Sequence, residues 1–320
     1  VGISNCRRCL ILIVIEQHLH NWIIDFRGEC RASMYRVRST VAQTTSSYQE
    51  ILIAETEDFG RALFLDGIPQ SSALDEHIYH EALVHPALIA HNAPQSVFVA
   101  GGGEGAILRE ILKHNTIQKV VMCDIDTVML DFARDHLYDW HQGAFDDPRV
   151  QVLCEDARAY LANSPNTFDC IIVDMTDPLE NSPAALLFTH EFFLLAKSRL
   201  APGGTFAMQA EAADITDYSA HVSVIKTLRK CFNSVLSYQT WISFYGLAWG
   251  FAVASDEPLE QRLSADSLAQ KLHERNCQDL RFYDTESHLH LFSTPKYLRD
   301  AIQDSHTGAI IYDDQPLVVE

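Results

Sequence analysis

Between Pro94 and Glu211 the chain repeats one pattern that few folds accommodate. An apolar run, SVFVAGGG (residues 96–103), breaks at glycine and gives way to a helical stretch, GAILREILKH (105–114). The alternation recurs in KVVMCDID (119–126) with TVMLDFARDHL (127–137), and in RVQVLCED (149–156) with ARAYLANS (157–164). It recurs again in FDCIIVD (168–174) with THEFFLLAKSRL (189–200), and closes on TFAMQAE (205–211). Strands that are apolar throughout must be buried on both faces. Their alternation with helices predicts an α/β fold, a Rossmann-like parallel sheet covered on each side.

Ahead of Pro94 the pattern changes. QEILIAET (49–56) and RALFLDG (61–67) predict two strands joined by a turn around 58–60. DEHIYHEALVHPALIAH (75–91) predicts a helix, opened by acids and carrying apolar residues at helical spacing. Residues 1–45 show mixed polarity and no clear period. The expected division is an unread segment over 1–45, a small N-terminal β domain with a connecting helix over 46–93, and the Rossmann-like domain over 94–320.

The 320 residues, 47% hydrophobic, suffice for a full-sized core and two domains. Lys+Arg is 24 against Asp+Glu 43, a formal charge of −19, which disfavours nucleic acid and anionic membranes as partners. Of the eight scattered cysteines, Cys123, Cys154 and Cys170 fall in apolar runs and read as small hydrophobes. Cys6 and Cys9 form a lone CxxC with no second pair, so no metal site is expected. A reducing, cytoplasmic setting fits such scattered cysteines. The run CLILIVI (9–15) is too short to span a bilayer. The chain begins at Val1 rather than Met, which leaves an upstream targeting segment open.

In open α/β sheets, ligands bind outside the carboxyl ends of the strands. This chain places there the glycine turn 101–104, Asp124, Asp156, Asp174 with Asp177, and Gln209. A single Asp in such a position commonly caps the next helix, but a row of them reads as a site. GGGEGA (101–106) fits a loose dinucleotide turn, GxGxxA. Glu104 argues against a dinucleotide, because its carboxylate competes with a pyrophosphate for the helix N-terminus. The turn suits a nucleoside without phosphates. Asp124, about twenty residues past the glycines, stands where an acid accepts hydrogen bonds from ribose hydroxyls. Asp156 stands where an acid meets an adenine amino group. Together they describe a site for S-adenosyl compounds, or for another nucleotide on the same kind of sheet.

Asp174 and Asp177 remain. Beside a nucleoside sulfonium, two carboxylates suit a cationic second substrate. An alkylammonium has a pKa of about 10.4, so at neutral pH it is protonated and cannot attack; removing its proton costs about 4–5 kcal/mol. A carboxylate at hydrogen-bonding distance accepts that proton as attack proceeds. The sulfonium departs as a neutral thioether and needs no general acid.

The ordered motifs YQEI (48–51), LDGIPQ (65–70), DEHIYHEALVHPAL (75–88), GGGEG (101–105), VVMCDID (120–126), VDMTDP (173–178) and LAPGGTFAMQAE (200–211) resemble the polyamine aminopropyltransferases, the spermidine synthase family. The resemblance runs from about Tyr48 to beyond Ser255 and resumes weakly over 281–302. It implies a small N-terminal β domain on a Rossmann-like, class I methyltransferase-type domain. It also implies decarboxylated S-adenosylmethionine as aminopropyl donor, no resident cofactor, a polyamine acceptor, and a homodimer or homotetramer. Carried over motif by motif, Asp174 is the proton acceptor and Asp177 helps hold the amine. Gln49, Gln70, His80 and Glu104 surround the donor's aminopropyl end beside Gly101 and Gly103. Asp124 takes the ribose, Asp156 and Ala157 the adenine, and Tyr79, Gln209, Tyr245 and Trp249 line the amine channel.

Departures from the family pattern bear on the acceptor. Spermidine synthases usually carry Asp in the glycine motif and Glu at the ribose position; here these are Glu104 and Asp124. The familiar TYPSGxW reads SFYGLAW, which displaces the tyrosine to Tyr245, and the loop after Asp177-Pro178 is lengthened to LENSPAALLF. These features resemble thermospermine synthases, with Glu180 a candidate partner for a triamine's far ammonium. The open readings are transfer to spermidine giving thermospermine, transfer to putrescine, an S-adenosylmethionine-dependent methyltransferase, and a non-catalytic polyamine-binding protein. Glu104 repels the carboxylate that only the non-decarboxylated donor carries, and intact Asp174, Asp177 and Tyr79 favour catalysis.

Overall fold

The computed structural model describes residues 21–27, 31–179, 182–260 and 263–319. Cys6, Cys9, the run 9–15 and Glu180 lie outside them. The chain divides into two compact units, Val1–Leu74 and Asp75–Glu320. The connecting helix, grouped in the sequence reading with residues 46–93, falls in the larger unit.

The first unit is an antiparallel sheet in chain order: β1 (Trp22–Arg27), β2 (Arg31–Thr45), β3 (Glu50–Thr56), β4 (Gly60–Leu65) and β5 (Ile68–Ser72). The predicted hairpin is β3–β4, with Thr56 accepting from the Phe59 N–H inside its turn. Asp66 and Gly67, both at positive φ, make the two-residue loop into β5. The segment left unread supplies β1 and the 15-residue β2. Two register shifts against β3 break the two-residue period of β2, and most of its side chains are exposed. Tyr35 is its buried anchor, edge-on to Phe59 and Phe64.

The second unit holds a seven-stranded sheet. Its strands are β6 (Ser96–Gly101), β7 (Lys119–Asp124), β8 (Val150–Cys154), β9 (Phe168–Asp174), β10 (Leu200–Ala212), β11 (Ser234–Ile242) and β12 (Leu247–Ser255). The order is β11-β12-β10-β9-β6-β7-β8. The five strands from β10 to β8 are parallel, as expected. Beyond β10 the sheet continues into an antiparallel hairpin, β12 and β11, which the sequence reading had not placed. Phe98, Ile171 and Phe206, from three neighbouring strands, are fully buried beneath the helices. Cys123 and Cys170 are buried as expected, whereas Cys154 is exposed because β8 is the sheet's edge strand.

Two features of this unit position the site. β6 runs to β7 on one side and is flanked by β9 on the other, so chain order reverses between β6 and β9, where Gly101 pairs with Asp174. Such a switch point opens a crevice at the strands' carboxyl ends. The helix Glu76–Ala90 is buried on nearly every side, its His and Glu residues included. Buried charges on a helix must find partners, and the site shows what they find.

Candidate active site

The glycine turn leaves no room for side chains. Gly101 lies at φ +83, and a Cβ there would stand 2.3 Å from the carbonyl oxygen of Asp174; one on Gly103 would stand 2.9 Å from Asp124 Oδ2. The turn thus packs against both acids, and the Gly102 N–H donates to the Asp174 carbonyl at 2.9 Å.

Asp174 ends β9, and its Oδ1 accepts from the Tyr79 hydroxyl at 2.8 Å. Burial pushes the Asp174 carboxyl up to about 6; His80 and the Tyr79 hydrogen bond oppose the rise, and the nearby Glu104 adds to it. Burial likewise holds the Tyr79 phenol well above its ordinary range, so it stays a donor. Asp124, at the end of β7, is also pushed up to about 6 by burial, although it accepts from the Asp126 N–H at 2.9 Å.

His80 lies between two carboxylates, with Nε2 2.8 Å from Glu104 and Nδ1 3.2 Å from Glu76. Burial disfavours its charge, but Glu104 and Glu76 together raise it well above 6.5, so it is an imidazolium. Glu104 is therefore an ion-paired acid, and its repulsion of a second anion is weaker than its sequence position implies.

The acids expected to hold an amine lie beyond Asp174. Gln209 is locked: its Nε2 donates to the Met175 carbonyl at 3.2 Å and to Glu211 Oε1 at 3.1 Å, and its Oε1 accepts from the Glu211 N–H at 2.9 Å. It holds Glu211 in place. Glu211 sits at a bulge in β10 at φ +66 and is buried. Burial and the neighbouring Asp177 raise its carboxyl well above the ordinary range. The sequence reading missed Glu211, although it quoted the residue as the last letter of LAPGGTFAMQAE, one residue before the end of β10.

An aromatic wall completes this side. Tyr245 lies 6.2 Å from Tyr79 and 5.0 Å from Trp249, ring centre to ring centre, both edge-on. The Trp249 Nε1–H is buried without a hydrogen-bond partner. Asp156 is placed differently. It is exposed, and its Oδ1 accepts from the Ala159 N–H at 3.0 Å, capping the helix Ala157–Asn163 whose first residue, Ala157, is buried. Gln49 and Gln70 belong to the first unit, where Gln49 closes a turn with Ser46 and Gln70 follows Ile68 on β5.

The comparisons with known proteins bear on the family and the fold. The model of the spermine/spermidine synthase domain matches residues 76–264. The chain belongs to the spermine/spermidine synthase family. A second model, the spermidine synthase tetramerisation domain, matches residues 21–72, reaching into the segment that the sequence left unread. A polyamine aminopropyltransferase of Aeropyrum pernix is 41% identical over 88% of this chain and 90% of its own length. A polyamine aminopropyltransferase 2 of Hyperthermus butylicus is 39% identical over 93% and 97%. A crystal structure of a spermidine synthase with the transition-state analogue AdoDATO superposes with a TM-score of 0.81 at 28% identity, covering 89% of this chain and 95% of the other. In this chain Glu104, Asp124 and Asp174 lie at the carboxyl ends flanking the switch point, and Tyr79 reaches Asp174 from the helix Glu76–Ala90.

Proposed function

We propose that this chain transfers the aminopropyl group of decarboxylated S-adenosylmethionine to a polyamine and releases 5'-methylthioadenosine. The observation that carries this reading is Asp174: a half-buried carboxylate, raised to about 6 and oriented by the Tyr79 hydroxyl. At neutral pH it is ionised, and its raised pKa makes it a better proton acceptor than an exposed carboxylate. It takes the ammonium proton as the amine nitrogen attacks the carbon beside the sulfonium. That C–N bond forms as the C–S bond breaks, and the sulfur leaves neutral. Asp124 receives the ribose, Asp156 and Ala157 the adenine, and His80 and Glu104 the aminopropyl end. Asp177, Gln209, Tyr245 and Trp249 form the amine channel. The donor is a co-substrate, and no resident cofactor takes part.

The acceptor in this proposal is spermidine and the product thermospermine. Two observations support it: the lengthened loop after Asp177, and Glu211, a second buried acid beside Asp177 that a longer polyamine's further ammonium can reach. The placement of the new bond rests on the resemblance alone. Putrescine is the second reading, favoured by solved relatives that are spermidine synthases. Incubation with donor and an equimolar putrescine–spermidine mixture, with products resolved by chromatography and mass spectrometry, tests both. Higher catalytic efficiency on putrescine removes the thermospermine reading, and a methylated product removes aminopropyl transfer.

Assembly through the first unit, as a homodimer or homotetramer, is supported by the tetramerisation-domain match and by exposed Trp22, Phe26 and Met34 on β1 and β2. A cytoplasmic location is supported by the free cysteines among the described residues, in which no helix is long and apolar enough to cross a membrane.

A further inference from the structure

Away from the strand ends, three side chains from remote parts of the chain converge. His85 comes from the helix Glu76–Ala90, His114 from just past the helix Ala106–Leu112, and Cys277 from just past the helix Ala265–Glu274. Each offers one donor atom, these atoms lie within 4.8 Å of one another, and all three residues are buried.

The protons in this cluster can be counted. Glu110 accepts from Arg109 Nε and from Lys113 Nζ, each at 2.8 Å, so between two cations it faces His85 as an acceptor. His85 Nε2, 3.0 Å away, therefore carries the hydrogen, and its Nδ1 keeps a lone pair. That Nδ1 is 2.9 Å from His114 Nε2, which donates to it. His114 Nδ1 then keeps a bare lone pair, and it is buried with no hydrogen-bond partner. The Cys277 sulfur belongs to the same cluster, its S–H donating to the Arg275 carbonyl at 3.6 Å. A neutral orphan nitrogen in a dry interior is costly unless something accepts its electrons.

We propose that His85, His114 and Cys277 bind one zinc ion that ties the C-terminal segment to the two helices beneath the active site. Two imidazoles and a thiolate are the ligand types zinc takes. Tetrahedral zinc, with Zn–N of about 2.0–2.1 Å and Zn–S of about 2.3 Å, places two nitrogens and one sulfur about 3.3–3.6 Å apart, so donors that now lie within 4.8 Å of one another close by about 1.5 Å at most. Glu110 on the far nitrogen of His85 supplies the carboxylate–histidine pairing that orients a metal ligand. The cysteine is already placed: Arg275 donates to the carbonyls of Leu88, His91 and Asn92, and the Cys277 N–H donates to Leu272. Binding releases the thiol proton and replaces the hydrogen bond that His114 Nε2–H makes to His85 Nδ1, freeing that lone pair for the ion.

The test uses the tag-free full chain carrying Cys6→Ser and Cys9→Ser, which removes the other thiol pair. Elemental analysis after zinc loading and desalting should find about one zinc per chain, and a strong chelator should lower Tm by several degrees. Chelator-stripped protein given cobalt(II) should develop a cysteinate-to-cobalt charge-transfer band in the near ultraviolet, lost in Cys277→Ala. Should Cys277→Ala fail to fold, the His114→Gln variant and the parent's own spectrum still decide. Background zinc and no charge-transfer band in the parent overturn the proposal, as does a band that survives Cys277→Ala.

Discussion

The second unit holds two sets of buried or half-buried acids with opposite electrostatics. At the strand ends, Asp124, Asp174 and Glu211 are raised above their ordinary range. Around the helix Glu76–Ala90, Glu76 and Glu110 are lowered. Burial raises every one of them, so desolvation does not explain the difference. Partners do. Glu76 meets Arg109 at 2.8 Å and His80, and Glu110 meets Arg109 at 2.8 Å, Lys113 at 2.7 Å and His85. The strand-end acids have fewer cations: His80 lowers Asp174 but Glu104 raises it, Asp126 and Asp174 raise Asp124, and Asp177 raises Glu211. Paired acids hold helices together. Acids crowded without enough cations are destabilising as they stand, and a polyammonium ligand is the counter-charge they lack.

The hardest test of that contrast is Asp174→Asn. An amide cannot accept the ammonium proton, so kcat/KM should fall about 10³-fold or more while the donor's Kd changes little. Near wild-type turnover at neutral pH would remove Asp174 from the base role. The wild-type pH profile belongs to the same test: activity should fall tenfold per unit as pH drops below about 6, where Asp174 takes up a proton. Stability should run the other way. Asp124 and Asp174 are raised from 3.8 to about 6, so between those values the folded chain binds more protons than the unfolded one and loses stability as pH rises. Saturating polyamine should flatten that loss, a point that thermal melts at several pH values will check.

Next comes the paired set. Arg109→Met leaves Glu76 and Glu110 buried beside a neutral side chain, and unfolding by denaturant should show a loss of about 3–4 kcal/mol. A loss under about 1 kcal/mol would mean that these acids are not held by Arg109. Glu211→Gln tests the strand-end set more gently. Gln209 can still hold an amide, but one charge is gone, so KM for a triamine should rise roughly 10- to 30-fold, the value of a charge-assisted hydrogen bond. KM for a diamine should rise less. Equal effects on both amines would take Glu211 out of acceptor choice.

The two sets were unequally legible in the sequence. Asp124, Asp156 and Asp174 close apolar runs, and a strand's end shows in its own letters, as does the parallel core of the sheet. Asp156 turned out to spend one oxygen on a helix cap, the bland role such a residue usually has. Glu211 went unread because a bulge at positive φ, which no letter marks, turns it into the row. The paired set was illegible for a different reason. Glu76 to Arg109, or His85 to His114 and Cys277, are meetings across tens to hundreds of residues, set by tertiary packing. β2 stayed hidden because two register shifts and an exposed face remove the period that betrays a strand.

The smallest effect falls on the one residue that belongs to both sets. Glu104 stands in the strand-end crevice yet pairs with His80, which Glu76 holds from the other side. If Glu104 acted alone, its charge would exclude a donor carrying the methionine carboxylate by several kcal/mol. Paired with an imidazolium 2.8 Å away, much of that field is cancelled at the distance of a bound donor. Glu104→Gln should therefore change the ratio of dissociation constants for S-adenosylmethionine and its decarboxylated form by only about 5-fold, roughly 1 kcal/mol. The same substitution removes the main support for the charge of His80, so that histidine's pKa, followed by NMR, should fall. A large change in donor ratio with His80 unmoved would show that Glu104 acts as a bare charge and belongs wholly to the unpaired set. A donor ratio that does not move, with His80 shifted, would leave Glu104 a structural partner of the helix and place donor choice elsewhere in the crevice.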